Sequence, residues 1–150
     1  MRAVIQRVTS ARVSIAGRVI AEIGHGFVAL VGIAREDGTD DVRYLVTKIC
    51  QMRVFDGEGG RPNDRSLVDV GGSVLLVSQF TLYGDVRKGR RPSFDAAAPP
   101  DVARQRYDDL VRELSATSVR VATGEFRATM QIELVNDGPV TILLDSTRAF

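Results

Sequence analysis

The sequence predicts an α+β fold: a mostly antiparallel, barrel-like β-sheet carrying two main helices. Three observations predict it. Runs rich in Val and Ile with rough period-two alternation outnumber the helical patterns, glycine-containing turns join them at short intervals, and only two segments place apolar residues at helical spacing.

Residues 2–8 and 10–16 alternate as strands, and Gly17 offers a turn into a third run over 18–23. His25 stands between Gly24 and Gly26, after which 27–33 is continuously apolar and reads as a buried strand. The stretch Asp37-Gly38-Thr39-Asp40 ends it. Val42, Leu45, Val46, Ile49 and Cys50 then follow helical spacing, with Thr39 or Asp40 available as the N-cap. Glycines, Pro62, Asn63 and acids make 56–64 a loop, and 67–70 and 73–80 read as strands. A long loop over 84–100 contains the basic run Arg87-Lys88-Gly89-Arg90-Arg91. Pro99 and Pro100 introduce the second helix, whose apolar face is Ala103, Tyr107, Leu110, Val111 and Leu114. Two late strands close the chain: Met130, Ile132 and Leu134 alternate, the turn Asn136-Asp137-Gly138-Pro139 interrupts, and 140–144 resumes.

At 150 residues and 44% hydrophobic content, the chain is expected to form one domain over 1–150, burying roughly two thirds of its unfolded surface. Many short strands leave edges that so small a domain covers poorly, which favours a symmetric dimer. The formal charge of +1, from 20 basic and 19 acidic residues, argues against attachment to nucleic acid by bulk electrostatics, so any RNA contact must be local. The lone Cys50 has no partner for an internal disulfide, the opening apolar run is too short for a secretion signal, and no run could span a bilayer. The expectation is a cytoplasmic protein with no membrane association.

Most familiar catalytic arrangements are absent. With one His and one Cys there is no zinc-type cluster, and neither a metal nor a cofactor is expected. A Ser-His-Asp triad would have to use His25, but a Gly-His-Gly turn is a poor mount for a general base, and a solvated turn histidine is the better reading. Two polar interruptions of apolar strands remain: Ser78-Gln79-Phe80-Thr81 and Asn136-Asp137-Gly138-Pro139-Val140-Thr141. By composition alone they are ordinary strand-end and turn residues. Arg87, Lys88, Arg90 and Arg91 could grip phosphates with Phe94 stacking on a base, or could simply be solvated.

Taken in order, Ala3-Val4-Ile5-Gln6-Arg7-Val8, Ser78-Gln79-Phe80-Thr81-Leu82, Gly89-Arg90-Arg91-Pro92-Ser93-Phe94 and Asn136-Asp137-Gly138-Pro139-Val140-Thr141 resemble the motifs of the D-aminoacyl-tRNA deacylase family. The likeness runs nearly end to end. It departs at Gly60-Arg61-Pro62-Asn63, where Gly-Lys-Met-Asn is expected. It departs again in Gly124-Glu125-Phe126-Arg127-Ala128-Thr129-Met130, where the positions of Arg127 and Thr129 usually hold a small residue and an Asp.

The resemblance implies a cofactor-free homodimer that hydrolyses the ester of D-aminoacyl-tRNA, with tRNA as partner. It implies that a cis Gly138-Pro139 peptide enters the partner's site and excludes L side chains, leaving D-aminoacyl and glycyl esters to react. Ser78, Gln79, Phe80 and Thr81 would form the catalytic strand end, offering backbone N–H groups to the developing oxyanion. Arg7, Met130 and Asn136 would support the site. Thr81 as a nucleophile is the alternative, although no base is marked for it. The competing classes are a non-catalytic RNA- or small-molecule-binding dimer and a threonine-nucleophile amidase.

Overall fold

The computed structural model describes residues 1–149. The two opening runs form one long strand, β1 (Arg2–Ile15). Its pairing slips near Val8, and its facing reverses there: Ala3 and Ile5 point to one core, whereas Val8, Ala11 and Val13 point to another. The break in alternation is therefore an irregularity within a strand, not a turn between strands. Ala16 and Gly17, both at positive φ, reverse the chain into β2 (Arg18–Ile23).

β3 (Gly26–Gly32) pairs antiparallel with the first half of β1, and β2 with the second. The helix α1 (Thr39–Gln51) buries Val42, Leu45, Ile49 and Cys50. Its N-cap is Gly38, not Thr39 or Asp40, because the Asp41 carboxylate accepts the Gly38 N–H at 2.7 Å. β4 (Ser73–Ser78) lies parallel to β3. The helix α2 (Pro100–Ser115), with proline in its first turn, leads to β5 (Arg120–Thr123), which lies parallel to β4 and was not expected from sequence. β6 (Gln131–Asp145) returns along the other edge of β1.

The sheet order is β2-β1-β3-β4-β5, with β6 beside β1, and the sheet curls into a nearly closed barrel. It is mixed. Its antiparallel half is built on β1, while β3, β4 and β5 run parallel because α1 and α2 lie in the connections between them.

Two further expectations fail. Residues 67–70 form a turn, because Ser66 and Asp69 cap each other: the Ser66 N–H and hydroxyl both reach the Asp69 carboxylate at 2.8 and 2.7 Å. Residues 136–139 are not a turn between two strands but a bulge inside β6.

Two apolar cores lie on opposite faces of the sheet. Phe27, Ala29, Val31, Val74 and Leu76 face α1 and α2, whereas Val28, Leu75 and Val77 fill the barrel with Val8 and Val13. Burial on both faces explains the unbroken apolar run of β3. At one end, the Met1 ammonium is buried against the Asp37 carboxylate at 2.5 Å. His25 is exposed and rests edge-on against Phe55 with centroids 4.9 Å apart. Among the described residues, no helix is long and apolar enough to cross a membrane.

Candidate active site

The C-terminal end of β4 opens onto a cleft of about 740 Å³. Val31, Val77 and Ile132 contribute to its apolar lining, and Phe80, Phe94 and Phe126 supply aromatic surface. Ser78 and Gln79 line it as well. Such a space suits a flat ring system with a few polar substituents.

Ser78 is the last residue of β4 and pairs with Val31. The Gln79 N–H extends that pairing by donating to the Val31 carbonyl at 2.7 Å, after which the chain winds into a short 3₁₀ turn, Phe80–Tyr83. Glycine at position 32 permits the turn to pack here, since a Cβ would lie 3.0 Å from Leu82 Cβ and 3.1 Å from the Gln79 carbonyl oxygen. The buried Tyr83 anchors the turn beneath the Arg2 guanidinium, 4.6 Å from its ring centre. Burial pushes the Tyr83 phenol well above its ordinary pKa, so it stays neutral.

The turn's first donors decide its chemistry. Leu82 N–H donates to the Gln79 carbonyl at 3.2 Å and Gly84 N–H to the Thr81 carbonyl at 2.9 Å. The N–H groups of Phe80 and Thr81 have no acceptor among the described residues. The Thr81 hydroxyl accepts from the Gln79 side-chain amide. No His, Lys, Cys, Asp or Glu among the described residues lines the cleft. The chemistry on offer is therefore backbone hydrogen-bond donation in a partly apolar space, without a side-chain base.

Behind the site, the Leu76 carbonyl accepts two donors at 2.9 Å, the Tyr107 hydroxyl from α2 and the Gly124 N–H. They tie β4 to the helix and to the segment carrying Met130, which also lines the cleft. Phe80, 56% exposed, meets Phe94 edge-to-face at 5.0 Å.

Gly138 and Pro139 do not line this cleft. Residues 137–140 bulge out of β6 between the pairs Val8↔Asn136 and Gln6↔Thr141, and the exposed Gly138-Pro139 bond is cis. Arg7 braces the bulge: its Nε donates to the Asp137 carbonyl at 3.2 Å and lies 3.4 Å from the Asp137 carboxylate, while Nη1 donates to the Val54 carbonyl. Asn136 closes it by accepting the Val140 N–H at 3.1 Å and donating to the Thr141 hydroxyl at 3.3 Å.

The basic run lies off the cleft. Arg87 is held by Asp85 at 2.6 Å, and its hydrogen bonds draw the Asp85 carboxyl down to about 2. Lys88, Arg90 and Arg91 are exposed nearby. Phe126 and Arg35 line the cleft as well. Neither carries a local signal, because the cleft is assembled from distant segments.

A profile of the D-Tyr-tRNA(Tyr) deacylases matches residues 4–145. The chain belongs to that family. It is 51% identical to the D-aminoacyl-tRNA deacylase of Thermosipho africanus and 54% identical to that of Desulforudis audaxviator, in both cases over the whole of each chain. It is also similar to the solved structure of the c-Myc DNA Unwinding Element Binding Protein, with a TM-score of 0.92 and 40% identity over 97% of this chain and 98% of that one. A probable eukaryotic D-amino acid tRNA deacylase shares the fold, with a TM-score of 0.78 at 19% identity over 95% and 97% of the two chains.

Proposed function

We propose that this protein is a cytoplasmic, homodimeric esterase that hydrolyses D-aminoacyl-tRNA to free tRNA and amino acid. Family membership supports the reaction, and the observation that carries the mechanism is the pair of N–H groups at Phe80 and Thr81, unengaged among the described residues, beside a cleft to which those residues bring no base. Water adds to the ester carbonyl carbon, and the oxygen that becomes negative is received by those two donors. The neighbouring ribose hydroxyl of the substrate orients the water, and the ester C–O bond breaks to return the terminal ribose hydroxyl. The terminal adenine rests against the aromatic surface of Phe80, Phe94 and Phe126.

Selection by chirality falls to Gly138 and Pro139. Their exposure, and their absence from their own chain's cleft, support insertion into the cleft of a second copy. There the backbone held by Arg7 and Asn136 forms a rigid wall against an L side chain, whereas a D side chain points to solvent. Glycine meets no wall and reacts too.

A second reading has one specific support: a relative 40% identical to this chain is named for binding DNA. A binding module retains aminoacyl-tRNA one for one, while an esterase turns it over. Incubation of D-tyrosyl-tRNA with a hundredth part of protein separates the two. Full release of tyrosine supports the esterase, and an ester that stays intact, with no tyrosine released beyond the protein concentration, overturns it. The amidase reading needs a base beside Thr81, and no side chain lining the cleft among the described residues supplies one.

A further inference from the structure

Among the described residues, the cleft carries two cations and no anion. Arg35 and Arg127 line it, and no Asp or Glu among the described residues does. Arg35 spends its Nε on the Asp95 carbonyl at 3.2 Å, which fixes the side chain and leaves its terminal nitrogens for a ligand. Arg127 is exposed and forms no ion pair or hydrogen bond with its side chain among the described residues. The neighbouring Arg104 differs: it sits 5.4 Å from the Phe126 ring centre and is matched by Asp108 at 3.0 Å.

Arg127 is also held in a costly backbone conformation. Its φ is +67°, in the left-handed region that glycine and asparagine tolerate and a long side chain does not favour. The local turn, with Ala128 N–H donating to the Glu125 carbonyl at 3.2 Å, is satisfied by backbone alone, so nothing in the fold calls for an arginine here. A strained residue whose free charge lines a cleft points to a ligand.

We propose that Arg127, with Arg35, binds the phosphodiester backbone of a single-stranded RNA end whose last base lies among the aromatic rings of the cleft. This deepens the deacylase reading and rests on it. Guanidinium groups suit phosphate oxygens through paired N–H donors held in a planar fork. The exposed loop with Lys88, Arg90 and Arg91 lies off the cleft, so any contact it makes falls farther along the RNA.

The test compares wild type with Arg127→Gly, Arg127→Lys and Arg127→Gln, using adenosine and the trinucleotide CCA as probes and D-tyrosyl-tRNA as substrate. Adenosine carries no phosphate, so its binding is expected to be unchanged in every variant. CCA is expected to bind more weakly to the glycine and glutamine variants. One lost phosphate contact makes the weakening caused by a tenfold rise in salt about fivefold smaller than in wild type. The lysine variant keeps most of the salt dependence. Arg127→Gly relieves the left-handed strain, so its Tm is expected to be no lower, which separates ligand loss from misfolding. Unchanged CCA binding and salt dependence in both neutral variants, or equal loss of adenosine and CCA, would overturn the proposal, while turnover of D-tyrosyl-tRNA by wild type would leave the deacylase reading standing. Wild type that neither binds CCA nor turns over the ester overturns the deacylase reading together with it.

Discussion

Replacing Thr81 by alanine distinguishes a backbone oxyanion donor from a side-chain nucleophile. The threonine side chain is exposed, and its hydroxyl engages only the Gln79 amide among the described residues. Losing one exposed neutral hydrogen bond costs about 0.5 to 1 kcal/mol, which limits the fall in kcat to at most about fivefold. The Thr81 N–H survives the change. Removing that donor alone, by placing the α-hydroxy analogue of threonine at position 81 so that an ester replaces the amide, should cost about a hundred- to a thousandfold in kcat. If the hydroxyl were the nucleophile, the order would invert: Thr81→Ala would lose roughly a thousandfold or more and the ester-backbone variant would lose less. The assay is single-turnover release of labelled amino acid from D-tyrosyl-tRNA, with mass spectrometry for an acyl group on Thr81. A trapped acyl-enzyme would refute the mechanism.

The Arg7 side chain is only 11% exposed and serves the carbonyls of Asp137 and Val54. Arg7→Ala should destabilise the protein by roughly 2 to 4 kcal/mol, read from the urea midpoint, and should lower the ratio of D- to L-ester hydrolysis as the bulge loosens. Glycyl-tRNA should be cleaved by catalytic amounts of enzyme, because a site that rejects by clash cannot reject a missing side chain. Intact glycyl-tRNA beside cleaved D-tyrosyl-tRNA would instead require a D side-chain pocket. Acid should destabilise the fold in a defined window. Hydrogen bonds from Arg87 hold Asp85 at about 2, and although burial pushes Asp145 up, hydrogen bonds from Thr147 and Arg2 outweigh it and keep it below its ordinary value. Groups depressed in the folded state contribute above their unfolded pKa of about 3.9 and lose that contribution as pH falls through the folded values. The denaturation midpoint should be level through neutral pH and decline between about pH 4 and 2. A midpoint unchanged to pH 2 would contradict it.

The strands β1, β2 and β3 and both helices were legible because each writes its own periodicity into the sequence, as with Val42, Leu45 and Ile49 on α1 or Tyr107, Leu110 and Leu114 on α2. The parallel half was not. Strand direction depends on connections that cross the sheet, and β5, with only four residues and partial burial, leaves little pattern. Leu67 looked like part of a strand because it is apolar and fully buried, but the Ser66–Asp69 pair sets the local backbone before alternation can. Asn136-Asp137-Gly138-Pro139 has turn composition, and the bulge satisfies the same preferences without ending β6. At the site, Ser78, Gln79 and Thr81 stood out as polar residues interrupting an apolar run; the structure sets Ser78, Gln79 and Phe80 in the cleft lining and Thr81 in the turn that follows, outside that lining. Phe126 and Arg35 did not stand out, since only the folded chain places them beside β4.

Chirality is the central claim, and the most direct measurement is the ratio of kcat/KM for D- and L-tyrosyl-tRNA carrying the same tRNA, at substoichiometric protein. A soft pocket that discriminates by a methylene's worth of packing gives only about 10- to 200-fold. A rigid wall supplied by Gly138 and Pro139 predicts a D over L ratio well beyond that range, with complete hydrolysis of the D ester while the L ester persists. Equal rates on the two enantiomers, or a preference for L, would contradict the account.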